Sequence, residues 1–216
     1  MSPRQARGEL LADVAYRGVR DRILRLEMAP GSAIDEVLLV DELGVGRTPI
    51  REAIKRLALE ELVVVYPRRG TFVADITMTD LGHISELRSH LEACAAHKAA
   101  LSAPPSRARA SELLAELNER ASASLDTVEL MKLDRRVHHL IYELSGNPFL
   151  ASVAGQYYNL SVRIWYLLLS QLPHLAETVF EHRRLLEAIR DGDAASASEL
   201  AEQHVAKFAS TVRGAF

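Results

Sequence analysis

The chain has 216 residues, of which 48% are hydrophobic and 25% charged, and its formal net charge is −3 at pH 7. This composition is ordinary for a globular protein and allows one large domain or two small ones. The apolar runs are too short to span a bilayer, and the first residues contain no apolar signal segment. The single cysteine, Cys94, excludes an internal disulfide. We therefore expect a cytoplasmic protein with no membrane association.

The first third of the sequence predicts three helices. Residues 10–26 are apolar at helical spacing, and residues 35–43 form a second, shorter helical pattern. A Gly-Val-Gly turn at residues 44–46 follows. Thr48 is then a favourable N-cap and Pro49 suits the first position of a third helix. Two helices joined by a glycine turn indicate a helix-turn-helix.

The third helix has one apolar and one basic face. The apolar positions recur at helical spacing and are Ile50, Ala53, Ile54 and Leu57. The opposite face carries Arg47, Thr48, Arg51 and Lys55 near the start of the helix. A helix that enters the major groove needs donors for phosphates and base edges at this end.

A predicted hairpin follows directly. Residues 62–66 and 71–74 favour strands, and the turn between them contains Arg68, Arg69 and Gly70. Residues 46–69 contain six basic and three acidic side chains, although residues 1–78 as a whole are neutral. The basic surface is thus local and small. We expect a winged helix-turn-helix in residues 1–76 that binds a palindromic DNA operator as a homodimer.

Residues 77–216 predict an all-α antiparallel bundle, because the helical period continues and the connections are short. The expected helices are residues 80–102, 105–122, 127–144, 148–171, 175–191 and 194–213. The predicted fold class is therefore mainly α, with a winged helix-turn-helix followed by this bundle.

Four residues that can bind metal fall on apolar faces of three bundle helices. Asp134 and His138 are four residues apart and point the same way, while His182 and His204 lie in the apolar stripes of two later helices. A buried carboxylate needs a counter-charge, which a divalent ion would supply. The alternative is a set of separate core histidines with Asp134 bonded to one of them.

Two arginines interrupt apolar segments of the bundle. Arg88 can pair with Glu92 one turn away, or it can bind the carboxylate of a ligand. Arg163 stands among aromatic residues and is a second candidate for effector binding. An aromatic-rich helix also suits a core or a dimer interface.

The winged segment resembles the DNA-binding domain of the GntR family of bacterial transcription regulators. The resemblance rests on the run Gly-Arg-Thr-Pro-Ile-Arg-Glu-Ala-Ile-Lys-Arg-Leu at residues 46–57. It implies DNA contacts by Arg47, Thr48 and Arg51, with Arg69 and Gly70 reaching the DNA from the wing. Some members carry an arginine where this chain has Val37.

The bundle resembles the FCD effector domain of the FadR subfamily, and its six helices resemble the shorter VanR-like branch. This resemblance rests on the order of Asp134, His138, His182 and His204 and on the Ser-Gly-Asn-Pro break at residues 145–148. In that family the aspartate and three histidines bind a divalent metal at the floor of the ligand pocket. Zinc is expected first, with nickel or manganese as alternatives.

Together these features predict a ligand-responsive transcription regulator, expected to be a repressor, that is not an enzyme. Its effector is expected to be a small organic acid bound by the metal and Arg88. Two alternatives are a regulator that senses the metal itself and a metal-dependent enzyme built on the bundle. The enzyme is disfavoured because no further carboxylate or nucleophile accompanies the four ligands.

Overall fold

The computed structural model describes residues 10–121, 124–168 and 175–214, and of Met78 only the backbone. These residues form nine α-helices and a two-stranded antiparallel sheet. In chain order the elements are α1 (Leu11–Leu24), α2 (Glu36–Leu43), α3 (Arg47–Leu59), β1 (Val63–Tyr66), β2 (Gly70–Val73), α4 (Met78–Ala100), α5 (Pro104–Arg120), α6 (Thr127–Leu144), α7 (Pro148–Leu168), α8 (Leu175–Asp191) and α9 (Ala194–Gly214). The predicted fold class is confirmed. The predicted helix ends at residues 122 and 171 lie outside the described residues.

The described chain divides into two compact units. The first contains residues 10–77 together with Val162–Leu167 of α7, and the second contains residues 78–161, 168 and 175–214. The sequence pattern predicted a boundary between residues 76 and 77. It gave no indication that six residues of a bundle helix pack with the N-terminal unit.

The N-terminal unit is built around α1 and α3, whose apolar faces meet in a common core. Val19 and Ile23 of α1 and Ile50 and Leu57 of α3 are completely buried. The short helix α2 begins at an N-cap, Asp35, whose side chain accepts hydrogen bonds from two backbone amides, at 2.8 and 3.1 Å.

The third helix begins two residues earlier than the sequence indicated. Gly46, rather than Thr48, is the N-cap of α3 and makes no side-chain capping bond. Pro49 therefore occupies the third helical position, which still requires no intrahelical donor. The earlier start extends the basic face of α3 to Arg47 at its first turn.

The hairpin has the predicted position. Val63 of β1 pairs with Val73 of β2, and Tyr66 pairs with Gly70, so a three-residue loop closes the hairpin. The outer edge of β2 also bonds to the segment before α2, through an isolated bridge between Ala33 and Phe72.

The second unit consists of helices joined by short loops, several of which carry helix-start signals. Asp126 and Glu129 form a reciprocal capping box at the start of α6, and the side chain of Asn147 accepts from two amides at the start of α7. The most extensive packing between helices of this unit joins α4 to α9. Among the described residues, no helix is long and apolar enough to cross a membrane.

Candidate metal centre and nucleic-acid interface

The predicted DNA-contacting side chains of α3 are exposed on one side of the helix. Arg47, Thr48, Arg51 and Lys55 are all exposed, whereas the opposite face is buried in the N-terminal unit. The N-terminal end of α3 also presents unpaired backbone N–H groups, which favour phosphate oxygens. This surface can therefore place four donor-bearing side chains against a DNA duplex.

Arg51 has a partner that the local sequence pattern does not indicate. Its Nε donates to Oε2 of Glu36 on α2 at 3.0 Å, and 65% of the arginine side chain remains exposed. An exposed pair of this kind contributes about 0–1 kcal/mol. DNA phosphates or guanine acceptors can therefore compete with Glu36 for the guanidinium at small cost.

The wing carries its basic residues at the tip. Arg68 and Arg69 are exposed in the loop between β1 and β2. Gly70 has φ +108°, a backbone conformation that L side chains rarely adopt. A glycine is therefore required there to bring the chain back into β2 while the two arginines point outward.

The bundle brings the four predicted metal-binding residues together. One ligand atom from each of Asp134, His138, His182 and His204 lies within 4.8 Å of the others. They come from α6, α8 and α9. The first three are buried and His204 retains some solvent contact. Among the described residues, only these form such a cluster of three or more metal-binding side chains.

Within the cluster, the separation of Asp134 and His138 is too long for a hydrogen bond and close to that of two ligands of one ion. Oδ1 of Asp134 lies 3.8 Å from Nε2 of His138. Hydrogen bonds of this type are shorter than about 3.2 Å. Two ligands about 2.1 Å from a tetrahedral ion would be roughly 3.4 Å apart. The observed separation is therefore closer to that expected for two ligands of one ion than to that of an ion pair in direct contact.

The protonation of the histidines also suits a cation. Nδ1 of His182 lies 3.0 Å from the carbonyl oxygen of Val179, which assigns the proton to Nδ1. Its Nε2 is then a buried acceptor, and it has no hydrogen-bond partner. Burial, together with neighbouring histidines, lowers the pKa of His182 and lowers that of His204 well below its usual value. Neutral imidazole is the form that binds metal.

Glu92 of α4 contacts one of the four candidate ligands, His138. Its Oε2 lies 3.1 Å from Nδ1 of His138, and its Oε1 accepts from the hydroxyl of Tyr142 and from Arg88 at 2.7 Å. Burial alone would raise the pKa of Glu92, but His138 and Arg88 outweigh that effect and hold it below its usual range. From the sequence, Glu92 was expected only as a partner of Arg88. Its position on the inner face of α4 was the available signal.

Asp134 is held in a similar way. The hydroxyl of Tyr158 donates to Oδ2 of Asp134 at 2.8 Å, which leaves Oδ1 facing the histidines. Burial and the adjacent Asp134 raise the pKa of Tyr158 well above its ordinary value, so the phenol remains a donor. Partners that orient metal ligands in this manner commonly set metal affinity.

The two arginines predicted for effector binding are in different surroundings. Arg88 is buried and donates to Glu92 and, at 2.6 Å, to the hydroxyl of Ser161, while its Nε has no hydrogen-bond partner. Arg163 belongs to the N-terminal unit, where its guanidinium donates to the carbonyl of Ala74. Burial lowers the pKa of Arg163 to about 10. The structure therefore brings Arg88, but not Arg163, into the network around the metal cluster.

Comparisons with known proteins match two families to consecutive parts of the chain. Residues 11–73 match the family "Bacterial regulatory proteins, gntR family", and residues 83–207 match the FCD domain. A regulator from Streptomyces ambofaciens, "Uncharacterized HTH-type transcriptional regulator in unstable DNA locus", is 31% identical over 88% of this chain and 80% of its own length. The HTH-type transcriptional repressor RspR of Escherichia coli is 23% identical over 92% and 87%.

A solved structure shows the same fold. E. coli McbR/YncC superposes with a TM-score of 0.82 at 21% identity, covering 96% of this chain and 99% of that one. The GntR family and the two regulators from Streptomyces ambofaciens and E. coli act in transcription regulation, which confirms the prediction that the chain is not an enzyme. The chain belongs to the GntR family of bacterial DNA-binding transcription regulators, with an FCD domain as its C-terminal part.

Proposed function

We propose that this regulator responds to a small organic acid through a divalent metal ion held by Asp134, His138, His182 and His204. The observation that carries the proposal is the convergence of four ligand atoms within 4.8 Å in the interior of the FCD domain. A carboxylate and three imidazoles suit zinc, and nickel or manganese would also accept this set.

The charge of the site indicates the class of ligand. A divalent ion bound by one carboxylate and three neutral imidazoles has a net charge of +1, and the adjacent Glu92 is balanced by Arg88. Uncompensated charge in a buried site is costly, so an anion is favoured as an additional ligand. A carboxylate provides that charge and binds metal through oxygen.

Arg88 is our candidate for a second contact with the effector. Its guanidinium already donates to Glu92 and Ser161, but its buried Nε lacks a partner. A carboxylate oxygen there would satisfy the remaining donor. Arg163 is a weaker candidate for effector binding. Its Nε likewise lacks a hydrogen-bond partner, but its guanidinium already donates to Ala74.

On DNA, we propose that a homodimer binds a palindromic operator and acts as a repressor in the cytoplasm. Arg47, Thr48, Arg51 and Lys55 would contact the major groove, with Arg68, Arg69 and Gly70 at the wing. The local basic surface of one winged domain is small, which favours two half-sites. The name of RspR supports repression by analogy.

The second candidate is a regulator for which the metal itself is the signal, because four protein ligands can suffice for a complete tetrahedral site. One experiment tests both functions. Metal content is measured after purification without chelator, and operator binding is then titrated with metal-loaded protein, with and without a panel of small carboxylates.

An effector function requires about one tightly held ion per chain and a carboxylate that changes operator affinity. A metal-sensing function requires that reversible removal and return of the ion alone change operator affinity. Metal-free protein of normal stability that does not respond to added zinc, nickel or manganese would contradict both.

A further inference from the structure

A cleft between α8 and α9 leads toward the metal cluster. Its volume is about 230 Å³, and its polar lining consists of Glu181, His182, Arg184, Gln203, His204 and Lys207. Of the four candidate ligands, His204 is the one that retains solvent contact, whereas the other three are buried. The cleft therefore approaches the cluster at its least covered ligand.

The rim of the cleft is charged, and one ion pair joins its two sides. Arg184 and Glu181 lie on α8, three residues apart, and both are exposed. Lys207 of α9 donates to Glu181, with about half of each side chain still accessible to solvent. Such an exposed pair is weak and can exchange partners easily.

We propose that this cleft admits the effector and binds the outer carboxylate of a short dicarboxylic acid. The inner carboxylate would bind the ion, and the outer carboxylate would replace Glu181 as the hydrogen-bond acceptor of Lys207. This inference rests on the proposed function, since it assigns a further anchoring point to the same ligand.

The size of the cleft limits the ligand. Sites for drug-sized molecules have volumes of about 300–1,000 Å³. A cavity of about 230 Å³ is smaller and suits an acid of a few carbons. The position of the basic groups agrees with this, because Lys207 and His204 are three residues apart and therefore lie on the same side of α9.

The rim charges favour a dianion over a monoanion. Arg184 and Lys207 supply two positive charges against the single negative charge of Glu181. When an anion replaces Glu181 at Lys207, the new bond is charge-assisted and lies beside the positive metal site. Glu181 then competes with the outer carboxylate of a diacid for Lys207, whereas a monoacid does not contact Lys207 and meets no such competition.

The test compares acids of equal chain length that differ in one carboxylate. Protein loaded with one equivalent of zinc is titrated calorimetrically with malonate and propionate, and with succinate and butyrate. We expect at least one diacid to bind roughly tenfold more tightly than its monoacid, which corresponds to one charge-assisted hydrogen bond.

Three variants assign that preference to the cleft. Lys207→Ala should remove the roughly tenfold advantage of the diacid and leave monoacid affinity and zinc content unchanged. Glu181→Gln should strengthen diacid binding, because it removes the competing charge. Lys132→Ala is the matched control, because Lys132 is exposed on α6 and lies outside the cleft.

The outcomes separate this inference from the function on which it rests. If zinc and monoacids bind but the diacid preference is absent or survives in Lys207→Ala, the proposed function stands and the cleft assignment is wrong. Tighter diacid binding in Lys207→Ala than in wild type would overturn it as well. If no acid binds the zinc-loaded protein, both the effector class and this inference are wrong.

Discussion

Nδ1 of His138 lies 3.1 Å from Oε2 of Glu92, and both side chains are buried, although 46 residues separate them in the chain. With Nδ1 at this carboxylate, Nε2 of the His138 ring faces Asp134, whose Oδ1 lies 3.8 Å away. Glu92 therefore sets the orientation of the His138 ring, and that orientation suits the metal site proposed above. Arg88 and Tyr142 hold Glu92 in turn, so the network extends across α4 and α6.

Replacing this carboxylate should weaken metal binding. Glu92→Gln removes the charge that orients His138, and partners of this type commonly change metal affinity by about 10- to 100-fold. Competition with a chromophoric zinc chelator measures the effect. Glu116→Gln is the control, because Glu116 makes an exposed ion pair with Arg136 away from the cluster. Equal zinc affinity in Glu92→Gln and wild type would show that Glu92 does not position His138.

Loss of one ligand should remove the stabilisation by metal. Free zinc at about 100 times its Kd would stabilise the folded protein by about 2.7 kcal/mol, because the ion binds only the folded state. His182→Ala should lose most of the bound zinc and most of the associated rise in Tm. His83→Ala, at an exposed position on α4, should retain both. A full thermal response to zinc in His182→Ala would exclude this residue from the site.

Arg88 should couple the effector to operator release. Arg88→Ala is expected to abolish the effect of a carboxylate on operator affinity, which for typical couplings corresponds to about 1–3 kcal/mol. Gel-shift titrations with and without the acid measure it, and zinc content and Tm verify that the metal centre survives. Arg109→Ala, in an exposed ion pair with Glu143, is the control. Release at the wild-type effector concentration would leave Arg88 with a structural role only.

The exposed end of α3 should determine operator binding. Arg51→Ala should cost about 1–3 kcal/mol if the guanidinium reads a base, and should relax specificity at that position. Arg68→Ala and Arg69→Ala should instead reduce the salt dependence of binding, by roughly one unit of slope for each lost phosphate contact. An operator affinity that is unchanged in the Arg47→Ala/Arg51→Ala double variant would reject this surface.

The contact between α1 and the end of α3 should weaken at alkaline pH. The hydroxyl of Tyr16 donates to Glu60. Burial and, to a smaller extent, this carboxylate raise the pKa of Tyr16 to about 12. The folded state thus keeps a proton that the unfolded chain releases near pH 10. This contribution is complete below pH 10 and is lost as the pH rises from about 10 to about 12.

Urea unfolding at pH 8, 10 and 11 measures this effect. Wild type should lose more stability over this range than Tyr16→Phe, because phenylalanine has no proton to release. Tyr66→Phe, in the exposed wing, is the control for tyrosine ionisation in general. Parallel losses in wild type and Tyr16→Phe would contradict the assignment.

Local patterns were sufficient where the deciding interactions are local. The spacing of Ile50, Ala53, Ile54 and Leu57 places them on one helical face, and all four are buried. The predicted N-cap of α3 was wrong by two residues. After a glycine turn, backbone geometry rather than a capping side chain determines where the helix starts. Thr48 has the right chemistry for a cap, but it lies inside the helix.

The sequence by itself determined which side chains of the bundle face inward, because helical periodicity depends only on order along the chain. It thus identified Asp134, His138, His182 and His204 as candidates, but periodicity on separate helices leaves their mutual distances open. Packing of α6, α8 and α9 decided that their ligand atoms converge within 4.8 Å. Tertiary structure likewise decided that Glu92 meets His138 and that Arg163 joins the N-terminal unit. Contacts between distant segments depend on the rotation and offset of whole helices, which no local pattern specifies.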